Sequence, residues 1–217
     1  MKRNVALPAG VLAGALLLAG CGGTSGNNST HDMSTMDSTT SATPTTRPTG
    51  DAAGRTSTSS PHNRADVEFA TAMIPHHGQA IEMADIALEK ATNAEVRRLA
   101  TAIKAAQAPE IRQLSDWLAG WGEPVPSASM DMKSHDMDMG DGMMSAQEMK
   151  ELDGASGAAF DRLWTELMIK HHEGAVAMAR TQLRQGVSPE TKKLAQAVID
   201  GQTKEITTMK ALLPTLR

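Results

Sequence analysis

Apolar residues recur at helical spacing in two stretches of the chain, and the second stretch repeats the first. Met73, Ile74, Ala80, Met83 and Ala84 fall on one arc of a wheel turning roughly 100° per residue, while Gly78, Glu82, Asp85 and Glu89 fall opposite. A second stripe follows after a short break: Leu99, Ile103, Ile111 and Leu114. Shifting the register by 95 residues lays Met73-Ile74-Pro75-His76-His77 over Met168-Ile169-Lys170-His171-His172 and continues without a gap to Glu110-Ile111 over Glu205-Ile206. Fifteen of those 39 positions are identical, which marks an internal duplication. Each copy predicts two helices joined by a turn. Two such hairpins predict an all-α four-helix bundle with pseudo-twofold symmetry, an architecture that builds sites between facing helices.

The stripes are interrupted by polar residues on the buried side. His76 and His77 both lie within about 60° of the core direction, as do His171 and His172 in the second copy. The second helix of each unit carries Gln107 and Glu110, or Gln202 and Glu205, among its apolar positions. Both arms of an antiparallel hairpin rise equally from the turn, so His76 is expected level with Gln107, Met73 with Glu110, and His171 with Gln202. Buried polar groups need partners, and two readings stay open here. In one, the cluster is a hydrogen-bond network that fixes helix register. In the other, the imidazoles and the thioethers of Met73, Met83, Met168 and Met178 converge on a soft ion, Cu(I) or Ag(I). Pro75 removes a hydrogen bond within the first helix and is expected to bend it beside His76. Lys170 stands at the equivalent place, so the halves cannot be perfectly symmetric. Trp117, Trp121 and Trp164 read as structural, and His62 as an exposed residue where the first helix begins.

Between the units, residues 130–149 hold seven methionines and no other large apolar residue. Met130, Met132, Met137 and Met139 alternate with Asp, Lys and Gly, a pattern no core helix requires, and Met143 and Met144 follow. With His135 among them they offer thioethers on a flexible chain that can wrap a soft monovalent ion. Exposed methionine is prone to sulfoxide formation, so its concentration here asks for a reason. Ser145 and Glu148 form a capping box that predicts a short helix containing Met149. His31, Met33 and Met36 are a smaller echo upstream.

Lys2 and Arg3 precede a short apolar run, 11–20, too short to span a bilayer and shaped like the core of an export signal. It ends Leu18-Ala19-Gly20-Cys21, similar to a bacterial lipobox, and Cys21 is the only cysteine. The expectation is a lipoprotein signal over 1–20 and lipidation of Cys21. Residues 22–60 contain 19 Ser or Thr in 39 positions, so 21–60 reads as a flexible tether spanning roughly 35 Å. The bundle then occupies 61–217, as repeat one over 61–120, a methionine-rich loop over 121–144 and repeat two over 145–217.

Charge and motifs exclude other classes. Without Lys2 and Arg3 the balance is 19 basic against 25 acidic residues, or −6, which disfavours nucleic acid as a partner. No Glu has a His three residues later, so the di-iron carboxylate pattern is absent. His-Glu-x-x-His, a phosphate-binding glycine loop and Gly-x-Ser-x-Gly are also absent.

The duplicated Met-Ile-x-His-His-x-x-Ala-(Ile/Val)-x-Met-Ala, followed by Gln-x-x-Glu-Ile, resembles the bacterial domain-of-unknown-function 305 family over about 61–120 and 145–217. The resemblance implies an exported, ferritin-like fold and, from some members, copper binding. It places the family's paired histidines on His76-His77 and His171-His172 and its methionines on Met73, Met83, Met168 and Met178. The expected function is a lipid-anchored, extracytoplasmic protein that binds Cu(I) or Ag(I) for buffering, delivery or resistance. Its expected partners are the metal ion, a membrane reached through the lipid alone, and a copper-transfer protein. A metal-independent envelope interaction module and a copper or iron redox enzyme are the alternatives.

Overall fold

The computed structural model describes residues 61–129 and 142–217, all within one compact unit, Gly54–Arg217. Those residues form five α-helices and no strand: α1 (Arg64–Lys90), α2 (Ala94–Trp121), α3 (Ala146–Gly154), α4 (Gly157–Gln185) and α5 (Pro189–Leu212), then a 3₁₀ turn, Leu213–Thr215. Local chemistry sets most of these boundaries. Asn63 and Asp66 form a capping box at the start of α1, and Asn93 caps α2 through the amides of Glu95 and Val96. The predicted Ser145–Glu148 capping box opens α3, and Ser188 caps α5 with Pro189 in its first turn. Pro75 lies within a continuous α1 and Pro109 within a continuous α2.

α1 and α2 pack as one hairpin, α4 and α5 as the other, and α1 lies against α4. The buried apolar residues form two clusters. One gathers Met83, Met144, Met149, Phe160, Trp164, Met168 and Met209, and the other Phe69, Met73, Ile74, Leu114, Leu118 and Val198. Trp164 is fully buried and its indole N–H donates to the Met83 carbonyl at 2.9 Å, confirming a structural role. At the surface, His62 stacks on Trp121 with centroids 4.5 Å apart, and Trp121 in turn stacks on Trp117.

A second consequence of the duplication lies seven residues upstream of the histidine motif. Asp66 on α1 accepts hydrogen bonds from the amides of Val187 and Ser188 in the α4–α5 turn, and from the Thr191 hydroxyl at 2.7 Å. Asp161 on α4, 95 positions later, accepts from the amides of Thr92 and Asn93 in the α1–α2 turn. Each hairpin therefore clasps the other's turn. Burial alone pushes the Asp66 carboxyl up, but its hydrogen bonds from Thr191, Asn63, Val187 and Gln182 outweigh that and hold it below the usual carboxylate range.

The segment joining the hairpins is fastened on both sides of residues 130–141. A Cβ at Gly78 would fall 1.7 Å from the Ala128 carbonyl oxygen, so only glycine lets the chain approach α1 there. Gly142 sits at φ 87°, and a Cβ on it would meet the Gly174 backbone at 2.7 Å. The Gln79 side chain brackets Met144, donating to its carbonyl at 2.8 Å and accepting from its amide at 2.7 Å. Lys170 pairs with Glu148 and ties α4 to α3.

Candidate metal centre

Helical spacing carries His76 and His77 from α1, and His171 and His172 from α4, to the contact between those two helices, where all four imidazoles are buried. His76 and His171, related by the duplication, bring their ring centroids within 3.8 Å at an interplanar angle of 43°. The outer rings diverge from their neighbours, with centroids 6.5 Å apart for His76 and His77 and 6.3 Å for His171 and His172. Each outer ring meets a carboxylate from its own hairpin. His77 Nε2 lies 2.7 Å from Glu110 Oε2, and His172 Nε2 lies 2.8 Å from Glu205 Oε2.

That pairing differs by one turn from the expected level of Glu110, and the reason is the direction of side chains. The α1–α2 turn is centred near residue 92, which leaves Glu110 farther from it than His77. Helical side chains lean toward their own N-terminus, so His77 leans away from the turn and Glu110 leans toward it. The offset of about three residues, roughly 4.5 Å, closes in this way.

The expected polar network is only partly satisfied. Both nitrogens of His171, Nδ1 of His77 and of His172, both amide atoms of Gln107 and Oε1 of Gln202 are buried without a hydrogen-bond partner of good geometry. A buried polar atom left so costs about 1–3 kcal/mol. Burial holds the His171 imidazole well below its ordinary range, and the charges that His76, His172 and His77 would carry push the same way. The ring is thus a neutral donor, the form a metal ion takes.

Among the described residues, no three His, Cys, Asp or Glu side chains converge as a ready-made ion site. Met73 and Met168 are fully buried one turn before the histidines, in different core clusters, and Met83 is buried one turn or more after them. Met178 is half-buried and lines an open groove with Phe69 and Gln182. Met144 is drawn into the core beside Met83 and Met168, with Met143 half-buried next to it. Met130, Met132, His135, Met137, Met139 and Cys21 lie outside the described residues.

Gln79, Asp66, Asp161 and Pro109 were not anticipated. Extending the 95-residue register upstream would have exposed the two aspartates, and Pro109 stands immediately before Glu110 as Pro75 stands before His76. Gln79 has no counterpart, because Gly174 holds its equivalent position.

A family model described as domain of unknown function (DUF305) matches residues 66–213. The chain belongs to the DUF305 family. A candidate secreted DUF305 protein from Streptomyces coelicolor is 34% identical, with 70% of this chain and 93% of that one covered and a TM-score of 0.62. A DUF305 fragment from Deinococcus radiodurans is 33% identical, covering 72% and 99%, with a TM-score of 0.62. CopM in its Cu(I)-bound form is 34% identical, covering 69% and 96%, with a TM-score of 0.57, and CopM structures are also similar in Cu(II)-bound, silver-bound and apo forms. No curated protein matches. The DUF305 hairpins contain, among the described residues, no helix long and apolar enough to cross a membrane.

Proposed function

We propose that this DUF305 protein takes up a soft monovalent ion, Cu(I) or Ag(I), in its histidine core and serves copper buffering, delivery or resistance outside the cytoplasm. The observation that carries the reading is the duplicated set of four buried imidazoles gathered where α1 meets α4, with Nδ1 of His77 and of His172 buried without a protein partner. A soft ion accepts few donors and favours thioethers, so His76, His77, Met73 and Met83 serve one half-site and His171, His172, Met168 and Met178 the other. Gln107, Glu110, Gln202 and Glu205 support them. CopM, a third identical in sequence, is known with Cu(I), Cu(II) and silver bound, which favours this reading over a metal-independent module.

Met130, Met132, His135, Met137, Met139 and Met143 form the capture arm in this reading; Met144, expected among them, is buried in the core instead, and the attachments at Gly78, Gln79 and Gly174 hold residues 128 and 142–144 against α1 and α4. The two hairpins make a ferritin-like four-helix bundle over 61–217. Export through 1–20, lipidation of Cys21 and the tether over 21–60 place it at the outer face of the membrane, where a copper-transfer protein is its partner.

An anaerobic Cu(I) titration of the full chain against a chromophoric chelator, with Zn(II) as control, tests the reading. Tight Cu(I) uptake without comparable Zn(II) uptake is expected. Replacing all four core histidines by Ala is expected to abolish the core site, and removing 130–141 to spare it. Unchanged affinity in the histidine variant would reduce the cluster to a structural role, and no uptake at all would favour the interaction module.

A further inference from the structure

We infer that Glu110 and Glu205 choose the donor atom of the outer histidines: each carboxylate holds the Nε2 proton of its ring, leaving Nδ1 of His77 and of His172 as the lone pair offered to the metal. This rests on the soft-metal reading above and adds the atoms that perform it.

A carboxylate can only accept, so the ring nitrogen 2.7 Å from Glu110 and its copy 2.8 Å from Glu205 must donate. An imidazole bearing one proton then carries it on Nε2, and Nδ1 is an acceptor. In both rings that Nδ1 is buried without a protein partner. A proton placed there would be a buried donor facing nothing, which disfavours the other tautomer. The remaining lone pair has no use within the protein, whereas a ligating histidine characteristically gives its second N–H to a carboxylate that fixes the ring.

Duplication supplies an independent check. Pro109 precedes Glu110 and Lys204 precedes Glu205, both within continuous helices, so the two carboxylates have different sequence neighbours. They nevertheless reach the same nitrogen, and both glutamate side chains are 23% exposed. Glu110 and Glu205 are therefore positioning residues set between solvent and the rings, and the ion lies on the inner side of the imidazoles. The inner rings of His76 and His171 face each other instead. The core thus holds two chemically different classes of histidine, one oriented by a carboxylate and one by its symmetry mate.

Long-range proton–nitrogen NMR of the ¹⁵N-labelled full chain tests this, with H77Q and H172Q variants to assign the two rings. Before metal, both outer rings are expected to show a proton-bearing Nε2 and a bare Nδ1, and Ag(I) is expected to shift Nδ1 while Nε2 keeps its proton. A proton on Nδ1, or a shift of Nε2 on silver addition, would overturn the assignment. The E110L/E205L variant, checked for helicity, is expected to lose the Nε2–H signature and about ten- to a hundredfold in Ag(I) affinity, with E110Q/E205Q restoring the signature and most of the affinity. A folded leucine variant with native affinity would count against the idea, and if that variant does not fold the tautomer in the native chain decides. The wrong tautomer with normal silver uptake would sink the donor assignment alone. The expected tautomer without any silver uptake would sink the metal reading and the donor role together.

Discussion

His171 is the residue at which burial has the plainest energetic consequence. Its ring is fully buried and held well below the ordinary histidine range, chiefly by desolvation. An unfolded histidine titrates near pH 6.5, so below that value the unfolded chain binds a proton that the native ring refuses. The contribution is complete above about pH 6.5 and is lost as the pH falls toward the depressed native value. For this one group the slope is about 1.4 kcal/mol per pH unit. Urea titrations of the metal-free chain are expected to show no slope from this group between about pH 7.5 and 6.5 and that slope below about pH 6.5, and H171L to flatten it. An unchanged slope in H171L would show that the titrating group lies elsewhere. The identity of the four histidines and their inward direction were legible from helical spacing alone. Which nitrogen meets which carboxylate was not, since it depends on the lean of side chains from two antiparallel helices.

At the scale of elements, the attachment of the inter-hairpin segment breaks the symmetry of the duplication. Gln79 and Gly174 occupy equivalent positions, and both touch the chain at residues 142–144, one through a bidentate amide and the other through bare backbone. Replacing Gln79 by Leu leaves the buried amide and carbonyl of Met144 without partners, at a cost of about 1–3 kcal/mol. Hydrogen exchange is expected to show faster exchange of the Met144 amide in Q79L, while protection across α4 stays native. Equal protection of Met144 would mean that Gln79 does not fasten the segment. G78A is expected to lower the melting temperature, because the new methyl would collide with the Ala128 carbonyl and push the segment off α1. Neither attachment was legible beforehand. A glutamine on a helix wheel reads as surface, and a glycine in a helix is recognised as a close-approach site only when the approaching chain is known.

For the molecule as a whole, the reciprocal clasps of Asp66 and Asp161 lock the two hairpins together. D66A removes the acceptor from the Val187 and Ser188 amides and the Thr191 hydroxyl, and D161A does the same for Thr92 and Asn93. D66A, which strands the buried Ser188 amide and Thr191 hydroxyl, is expected to cost at least about 2 kcal/mol in urea unfolding, and D161A, whose donors are exposed or half-buried, to cost less. The Asp66 carboxyl lies below its unfolded value, so its contribution is present above about pH 4 and is lost as acid protonates it in the native state. D66N is expected to remove that part of the acid transition. An acid midpoint identical to that of the native chain would assign the transition to other carboxylates.

The sequence by itself determined the helices, the duplication, the capping box of α3 and the residues of the histidine cluster, because helical periodicity and capping are local and a repeat can be read by shifting the chain against itself. Only the tertiary structure decided that Glu110 meets His77 and that Gln107 stays without a partner. It also decided that each hairpin holds the turn of the other and that Met144 enters the core between two symmetry-related positions. These contacts join residues 33 to 125 positions apart. Their geometry is set by how two helical hairpins pack, which no local pattern records.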